Sequence, residues 1–275
     1  MDILMEGESR REDLMTSLKK RLRSGELALG TWITINHPDV VDALSELPFD
    51  WFVFDMEHAP IEISDVEVLM MPLRGTDIAP IIRVPWNDMI AIKRALDAGA
   101  EGILVPWVNT REEAEAAVSY ASYPPRGVRG AGPRRAIRYG GRSFLDYYQS
   151  FEENERVLVV QIETAKALEN LEEIISTPNI DAVYVGPLDL SVSLGMPLQY
   201  DHPKFEEALR KVIKVCEKYG VAPGVHGFSM DHVKKLVSQG FRFVALMTDI
   251  GVMRRAFREI LGELGRIKEE AAAGY

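Results

Sequence analysis

A single (β/α)8 barrel is the fold this sequence predicts, and three observations predict it. Eight short apolar or β-rich runs recur along the chain, and most are followed by a segment with the amphipathic spacing of a helix. The 275 residues fit the roughly 250 that such a barrel needs. Runs that are apolar throughout suit parallel strands covered on both faces, and eight repeats favour closure over an open sheet.

The expected strands are Leu27–Ile33, Asp50–Asp55, Pro80–Val84, Gly102–Val105, Val157–Ile162, Ala182–Val185, Ala222–Val225 and Phe243–Met247. The helical segments are Asp39–Leu47, Ser64–Leu73, Asp88–Ala98, Arg111–Tyr120, Ala165–Ile175, Phe205–Tyr219, Met230–Ser238 and Gly251–Leu264. An extra polar helix over Arg10–Arg23 precedes the first strand. No linker divides the chain, so residues 1–275 read as one domain with its core over about 27–265. One connection is unusual: Ala121 to Glu155, before strand five, is rich in Gly, Pro and Arg and too long for a plain link. Its expected uses are a surface excursion, a subunit contact or a cover over substrate. Within residues 123–142, Arg126, Arg129, Arg134, Arg135 and Arg138 make it locally basic.

A net charge of −10 argues against nucleic acid or an anionic membrane as the main partner. The one cysteine, Cys216, sits in a helix-like run and reads as packed rather than reactive. The first residues lack an apolar signal core and no stretch is long enough to span a bilayer, so a cytoplasmic protein is expected.

In barrels of this type the chemistry gathers where the strands end. Strand two runs into Asp55-Met56-Glu57-His58, strand three ends at Arg83, and strand five runs into Gln161-Ile162-Glu163. Strand six runs into Gly186-Pro187-Leu188-Asp189, strand seven ends at His226 and strand eight at Thr248-Asp249. Glu163 and Asp189 come from neighbouring strands; two acids on one rim repel unless a proton or cation lies between them, and oxygen ligands favour a hard ion. Both also lie near helix starts, where acids commonly cap. An Asp55 carboxylate accepting from the His58 imidazole would fix its tautomer and leave a base, against a plain surface histidine. Arg83 could bind a carboxylate or enolate oxygen, or form a salt bridge within the rim. Asp97 lies far from the strand ends and reads as a solvated acid. His37, His202 and His232 read as structural. All eleven lysines fall in or beside helix-like segments, which disfavours a Schiff-base mechanism.

Together the motifs resemble the HpcH/HpaI aldolase family. The resemblance is carried by Asp55-Met56-Glu57-His58-Ala59-Pro60, Arg83-Val84-Pro85-Trp86-Asn87-Asp88, Lys93 through Ala100, Tyr123 through Gly130, Gln161-Ile162-Glu163 and Gly186 through Ser191, in that order. It spans about Leu29 to Asp249. It implies a class II pyruvate aldolase that cleaves a 4-hydroxy-2-oxo acid to pyruvate and a small, often hydroxylated or acidic aldehyde, using Mg2+, Mn2+ or Co2+. It implies Glu163 and Asp189 as metal ligands, Gln161 beside the metal, and Arg83 at the enolate oxygen. His58, oriented by Asp55, would be the acid/base. The backbone of Gly186, Leu188 and Asp189 would hold the pyruvate carboxylate, and Asp97 would serve an adjacent subunit. A homo-oligomer is implied, trimer-based and often hexameric, with the last helix exchanged. Trp107, after strand four, is a bulky departure, and the ends of strands seven and eight leave the aldehyde open. The alternatives are oxaloacetate decarboxylation, a citrate-lyase-like cleavage of an acyl-CoA, or a silent barrel kept for binding.

Overall fold

The computed structural model describes residues 17–267. Its eight parallel strands close in sequence order: β1 (Ala28–Ile33), β2 (Trp51–Asp55), β3 (Ala79–Arg83), β4 (Gly102–Val105), β5 (Val157–Ile162), β6 (Ala182–Val185), β7 (Ala222–Gly227) and β8 (Phe243–Thr248). β8 pairs back onto β1 with a register shift between Gly30 and Trp32. The predicted barrel is therefore present, and three of its strands have the predicted bounds.

Alternation along each strand divides the apolar side chains into two sets. One set faces outward, where the helices cover it. The other fills the barrel, with Trp32, Trp51, Val53, Ile81, Leu104 and Phe243 among its members. Gly30 makes room for the interior: a Cβ there would lie 2.1 Å from the Trp51 ring. Each fully buried large side chain contributes about 1.5–3 kcal/mol. Helix α1 (Leu18–Arg23) places Leu18 and Leu22 in the same interior cluster and plugs the N-terminal end. The expected helix began at Arg10; residues 10–16 lie outside the described residues.

The outer ring comprises α2 (Pro38–Ser45), α3 (Ile63–Leu69), α4 (Met89–Asp97), α5 (Arg111–Ala121), α6 (Phe144–Asn154), α7 (Ala165–Glu169), α8 (Leu171–Ile175), α9 (Pro187–Ser193), α10 (Pro203–Tyr219), α11 (Met230–Gln239) and α12 (Asp249–Glu263). Three differ from the expected helices, and one of them, α9, was not among the expected segments at all. The single helix expected over Ala165–Ile175 is split at Asn170, which ends α7 and precedes α8 without a side-chain capping bond. The loop before β5 contains α6, eleven residues begun by Ser143 accepting the Asp146 N–H.

That connection is also not a lid over its own barrel. It joins the end of α5 to the start of β5, so it lies on the N-terminal side, opposite the mouth. Its arginines fold it. Arg134 pairs with Glu67 at 2.6 Å and Arg129 with Asp97 at 2.8 Å. Arg126 pairs with Glu153 at 3.2 Å, and Arg135 donates to the Ala98 and Met70 carbonyls. The Arg129 guanidinium is buried 4.5 Å from the Tyr123 ring centroid and hydrogen-bonds the Tyr147 hydroxyl. Asp97 is thus a partly covered partner of a buried cation, not a solvated acid.

Candidate active site

The inward register of each strand continues past the apolar interior into polar side chains. On β2, Trp51 and Val53 are followed by Asp55; on β3, Ala79 and Ile81 by Arg83. On β5, Val157 and Val159 are followed by Gln161 and then Glu163; on β7, Ala222 and Gly224 by His226. The two-residue period that packs the barrel therefore also delivers these groups to its C-terminal mouth.

Arg83 is buried and fully engaged. Its Nε donates to Asp55 Oδ1 at 2.9 Å and its Nη2 to Asp55 Oδ2 at 2.8 Å, a two-point fork. Its Nη1 lies 2.8 Å from Glu57 Oε2, and its Cζ sits 4.3 Å from the Trp32 ring centroid. Burial works to raise the Asp55 carboxyl, but the Arg83 fork and the backbone N–H groups of Glu57 and His58 outweigh it and hold the group below its ordinary value. Burial raises the Glu57 carboxyl, only partly eased by Arg83.

His58 does not receive the expected orientation from Asp55. Both Asp55 oxygens are occupied by Arg83, and Oδ1 also accepts the backbone N–H of His58 at 3.2 Å rather than its imidazole. The ring projects from the loop, mostly exposed, with its Nε2 3.8 Å from Glu57 Oε1. Glu57 is therefore the carboxylate nearest the imidazole. Nothing in the local sequence around Glu57 signals this contact.

Glu163 is buried, and its hydrogen-bond donors are both neutral. Oε1 accepts the Trp107 backbone N–H at 2.8 Å, and Oε2 accepts from the Gln161 amide. Burial pushes its carboxyl up to about 7; the Trp107 N–H opposes this, and the nearby Glu57 and Asp189 charges add to it. Trp107 holds that contact from a positive φ of 55°, which a bulky residue adopts only under constraint. Asp189 lies half-buried in the first turn of α9. Neither acid caps its helix by a side-chain bond: Thr164 accepts the Ala167 N–H at 2.9 Å to begin α7, and Gly186 begins α9 without a side-chain cap. Gly186 is required sterically, since a Cβ there would lie 2.8 Å from both Gln161 Nε2 and Glu163 Oε2. The neighbouring Leu188 is half-buried, its carbonyl accepting from the Ser191 hydroxyl.

The mouth thus joins Asp55, Glu57, Glu163 and Asp189 around Arg83, with Gln161 beneath and His58 at the edge. Asp97 is not among them; it lies across the barrel beside Arg129. Among the described residues, no three His, Cys, Asp or Glu side chains form a ready metal cage. The donors available are the two carboxylates and Gln161 Oε1, which is buried with no hydrogen-bond partner among the described residues. This all-oxygen set suits a hard divalent cation with water or substrate completing its shell. Three further mouth residues escaped the sequence reading as a group: Trp32, Tyr184 and His226. Trp32 Nε1 donates to the Tyr184 hydroxyl at 2.8 Å, which lies 3.2 Å from His226 Nδ1. Their shared inward register was the available signal.

Comparison with known proteins shows the family and the fold. The model of the HpcH/HpaI aldolase/citrate lyase family matches residues 28–256. The chain is 39% identical over 255 residues to a 2-dehydro-3,6-dideoxy-6-sulfogluconate aldolase of Pseudomonas putida, covering 92% of this chain and 98% of that protein. It is 35% identical to a hydroxypyruvate/pyruvate aldolase of Sagittula stellata, covering 86% and 93% respectively. Among solved structures it resembles an HpcH/HpaI aldolase/citrate lyase family protein of Burkholderia cenocepacia, with a TM-score of 0.85, 32% identity, and coverage of 91% of this chain and 99% of that one.

Proposed function

The chain belongs to the HpcH/HpaI aldolase/citrate lyase family and is a carbon–carbon lyase, and on that premise we propose that it reversibly cleaves a 4-hydroxy-2-oxo acid to pyruvate and an aldehyde. Glu163 and Asp189 would hold a divalent cation, Mg2+, Mn2+ or Co2+, with Gln161 beside it. When bound, such a cation supplies Lewis-acid polarisation of the 2-oxo group. The observation that carries this reading is Glu163: a buried carboxyl between two other acids, with neutral donors only, at the end of an inward-facing strand register.

The remaining chemistry falls to the chain's own residues. Arg83, fixed by Asp55 and Glu57, places positive charge where the enolate oxygen of pyruvate develops. His58 takes the C4 hydroxyl proton as the C3–C4 bond breaks; the bonding pair passes to the enolate and C4 leaves as the aldehyde carbonyl. A proton then returns to C3 to give the methyl group of pyruvate. The backbone at Gly186, Leu188 and Asp189, in an α9 first turn without a side-chain cap, is suited to the pyruvate carboxylate.

The protein would act as a homo-oligomer, trimer-based and hexameric in the family's manner. α12 supports this: it buries Asp249 alone and leaves Ile250, Met253, Phe257 and Ile260 exposed, an apolar face suited to a neighbouring barrel. Asp97 would then be presented to an adjacent subunit. No described helix is long and apolar enough to cross a membrane.

The test is turnover of a 4-hydroxy-2-oxo acid, coupled to pyruvate detection, before and after chelation. Turnover should vanish in metal-free protein, return with Mg2+, Mn2+ or Co2+, and leave the thermal transition in place, since an exchangeable two-carboxylate site does not hold the fold. Full activity in verified metal-free protein would remove the central claim.

A further inference from the structure

The aldehyde is the half of the reaction that the family motifs leave open, and the β7 side of the mouth bears on it. His226 follows Ala222 and Gly224 on the inward register of β7, one step above the packed interior. Tyr184, on β6, is buried beneath it. The Tyr184 oxygen meets two polar atoms, Trp32 Nε1 and His226 Nδ1. An indole nitrogen can only donate, so the hydroxyl accepts from Trp32. Its own proton then has one outlet, His226 Nδ1. The opposite arrangement, with Nδ1 donating, would leave a buried hydroxyl proton unpaired, which is costly.

The imidazole is therefore held with Nδ1 as acceptor and its proton on Nε2. Burial, reinforced by the nearby Arg83 charge, pushes its pKa down to about 4, so the ring is neutral at ordinary pH. It is also held in place: Trp32 meets it edge-on at 6.0 Å between centroids and Phe228 lies at 5.4 Å. Phe228 in turn stacks between Tyr200 at 4.7 Å and His232 at 5.3 Å. Nε2 makes no hydrogen bond among the described residues, and the residue is half-buried where β7 reaches the mouth. A single indole, Trp32, separates it from the Arg83 guanidinium.

We propose that the His226 Nε2–H recognises the aldehyde half of the aldol, selecting aldehydes with a hydroxyl oxygen next to the carbonyl over alkyl aldehydes of the same size. The inference rests on the aldolase reading above: if Arg83 marks the pyruvate oxygen, a donor one indole away meets the carbons just beyond the new bond. The donor is neutral, so it suits a hydroxyl without requiring a charged substituent. Tyr184 and Trp32 act as positioning residues that set the tautomer.

The test compares glycolaldehyde with propanal as acceptors for pyruvate, since they differ by a hydroxyl in place of a methyl. In His226→Leu the glycolaldehyde-to-propanal ratio of kcat/KM should fall about tenfold relative to the native protein, the worth of one good hydrogen bond. Tyr184→Phe, which keeps the ring and frees the tautomer, should lower the ratio about threefold. Imidazole 15N shifts of the native protein should show Nε2 protonated and Nδ1 as acceptor; this reading needs no variant to fold. A protonated Nδ1, or an unchanged ratio in both variants, overturns the inference. Exchange of the pyruvate C3 protons in D2O without aldehyde separates the two levels. Exchange with an unchanged ratio sinks the His226 assignment alone, whereas no exchange in the native, metal-loaded protein sinks the aldolase reading and this inference with it.

Discussion

Two clusters of buried charge lie at opposite ends of the barrel, and they are built to different rules. At the N-terminal end, Lys19 Nζ lies 2.9 Å from Asp181 Oδ1 and donates to the Glu152 carbonyl at 2.9 Å and the Arg156 carbonyl at 2.6 Å. Asp181 Oδ2 also accepts the Leu158 N–H at 3.0 Å, and Arg156 donates to the Ser122 hydroxyl and the Asn179 carbonyl. The ammonium is saturated and opposed by a carboxylate, although the Arg156 Nε beside it has no hydrogen-bond partner among the described residues. At the mouth, four acids face one guanidinium, and among the described residues Glu163 has only neutral donors and Gln161 Oε1 no hydrogen-bond partner. Burying acids in excess of their counter-charge costs stability, and a fold that needed only to stand would balance its charges at both ends alike. The difference accords with the cation and substrate site proposed at the mouth.

That comparison breaks most sharply at His58. His58→Ala should slow aldol cleavage about 100- to 10,000-fold, the usual worth of a positioned acid/base, with the melting transition unmoved because the ring packs against little. Stopped assays of pyruvate release at saturating cation would measure it. Cleavage at the native rate would return His58 to the ordinary surface histidine its exposure suggests.

The N-terminal cluster should fail in the opposite way. Asp181→Ala leaves Lys19 buried without its counter-charge and should cost about 3–5 kcal/mol of stability in denaturant titrations, while the remaining folded protein keeps native turnover. A large loss of kcat per folded molecule would mean that the two ends are coupled and the contrast drawn above is false.

How much of this was readable in advance depends on the kind of contact. Apolar runs and helical spacing are local patterns, so all eight strands were legible, and the strand-end positions of Arg83, Glu163 and Asp189 followed from them. Pairing was not legible. Asp55 lies three residues from His58 and twenty-eight from Arg83, yet the fork to Arg83 takes both its oxygens, because β2 and β3 stand side by side in register. Likewise Arg129 looks like an exposed basic residue in a Gly- and Pro-rich segment, and only the fold brings Tyr123, Tyr147 and Asp97 around it. The helix Phe144–Asn154 was hidden by the Arg- and Gly-rich residues before it. Lys19 sits in a helix as expected, but nothing local shows that it reaches Asp181.

Glu163 gives the comparison a pH signature. Burial raises its carboxyl from 4.5 to about 7, so in the metal-free folded protein it binds a proton that the unfolded chain has already released. Stability should therefore fall as pH rises through about 4.5 to 7, and the full penalty, on the order of 3 kcal/mol, is present above that window. Glu163→Gln removes it. In chelated protein this variant should be more stable than native at pH 8, and the advantage should fade as the pH falls towards 4.5. Lys19 behaves in the mirror sense: burial lowers it to about 8, so its contribution changes only between about 8 and 10.5, where stability rises as the unfolded chain loses the proton the folded one has already lost. The two ends can thus be titrated separately. Identical pH profiles for native and Glu163→Gln protein would show that Glu163 carries no burial strain.

The smallest effect separates the mouth from the helix beside it. Glu163 and Thr164 are adjacent, and an acid at a helix start is commonly a cap. Here the cap is Thr164, whose hydroxyl accepts the Ala167 N–H and itself donates to the Asn109 side chain. Thr164→Ala should cost about 1 kcal/mol of stability, the ordinary worth of an N-cap, and should leave cation-dependent turnover within about twofold of native. Glu163→Ala should do the reverse, losing turnover while the fold persists. If Thr164→Ala instead lowered cation affinity as far as Glu163→Ala, the cap and the ligand would be one mechanical unit. The mouth would then be less independent of its scaffold than the contrast between the two ends implies. Parallel measurement of melting and cation dependence in both variants decides it.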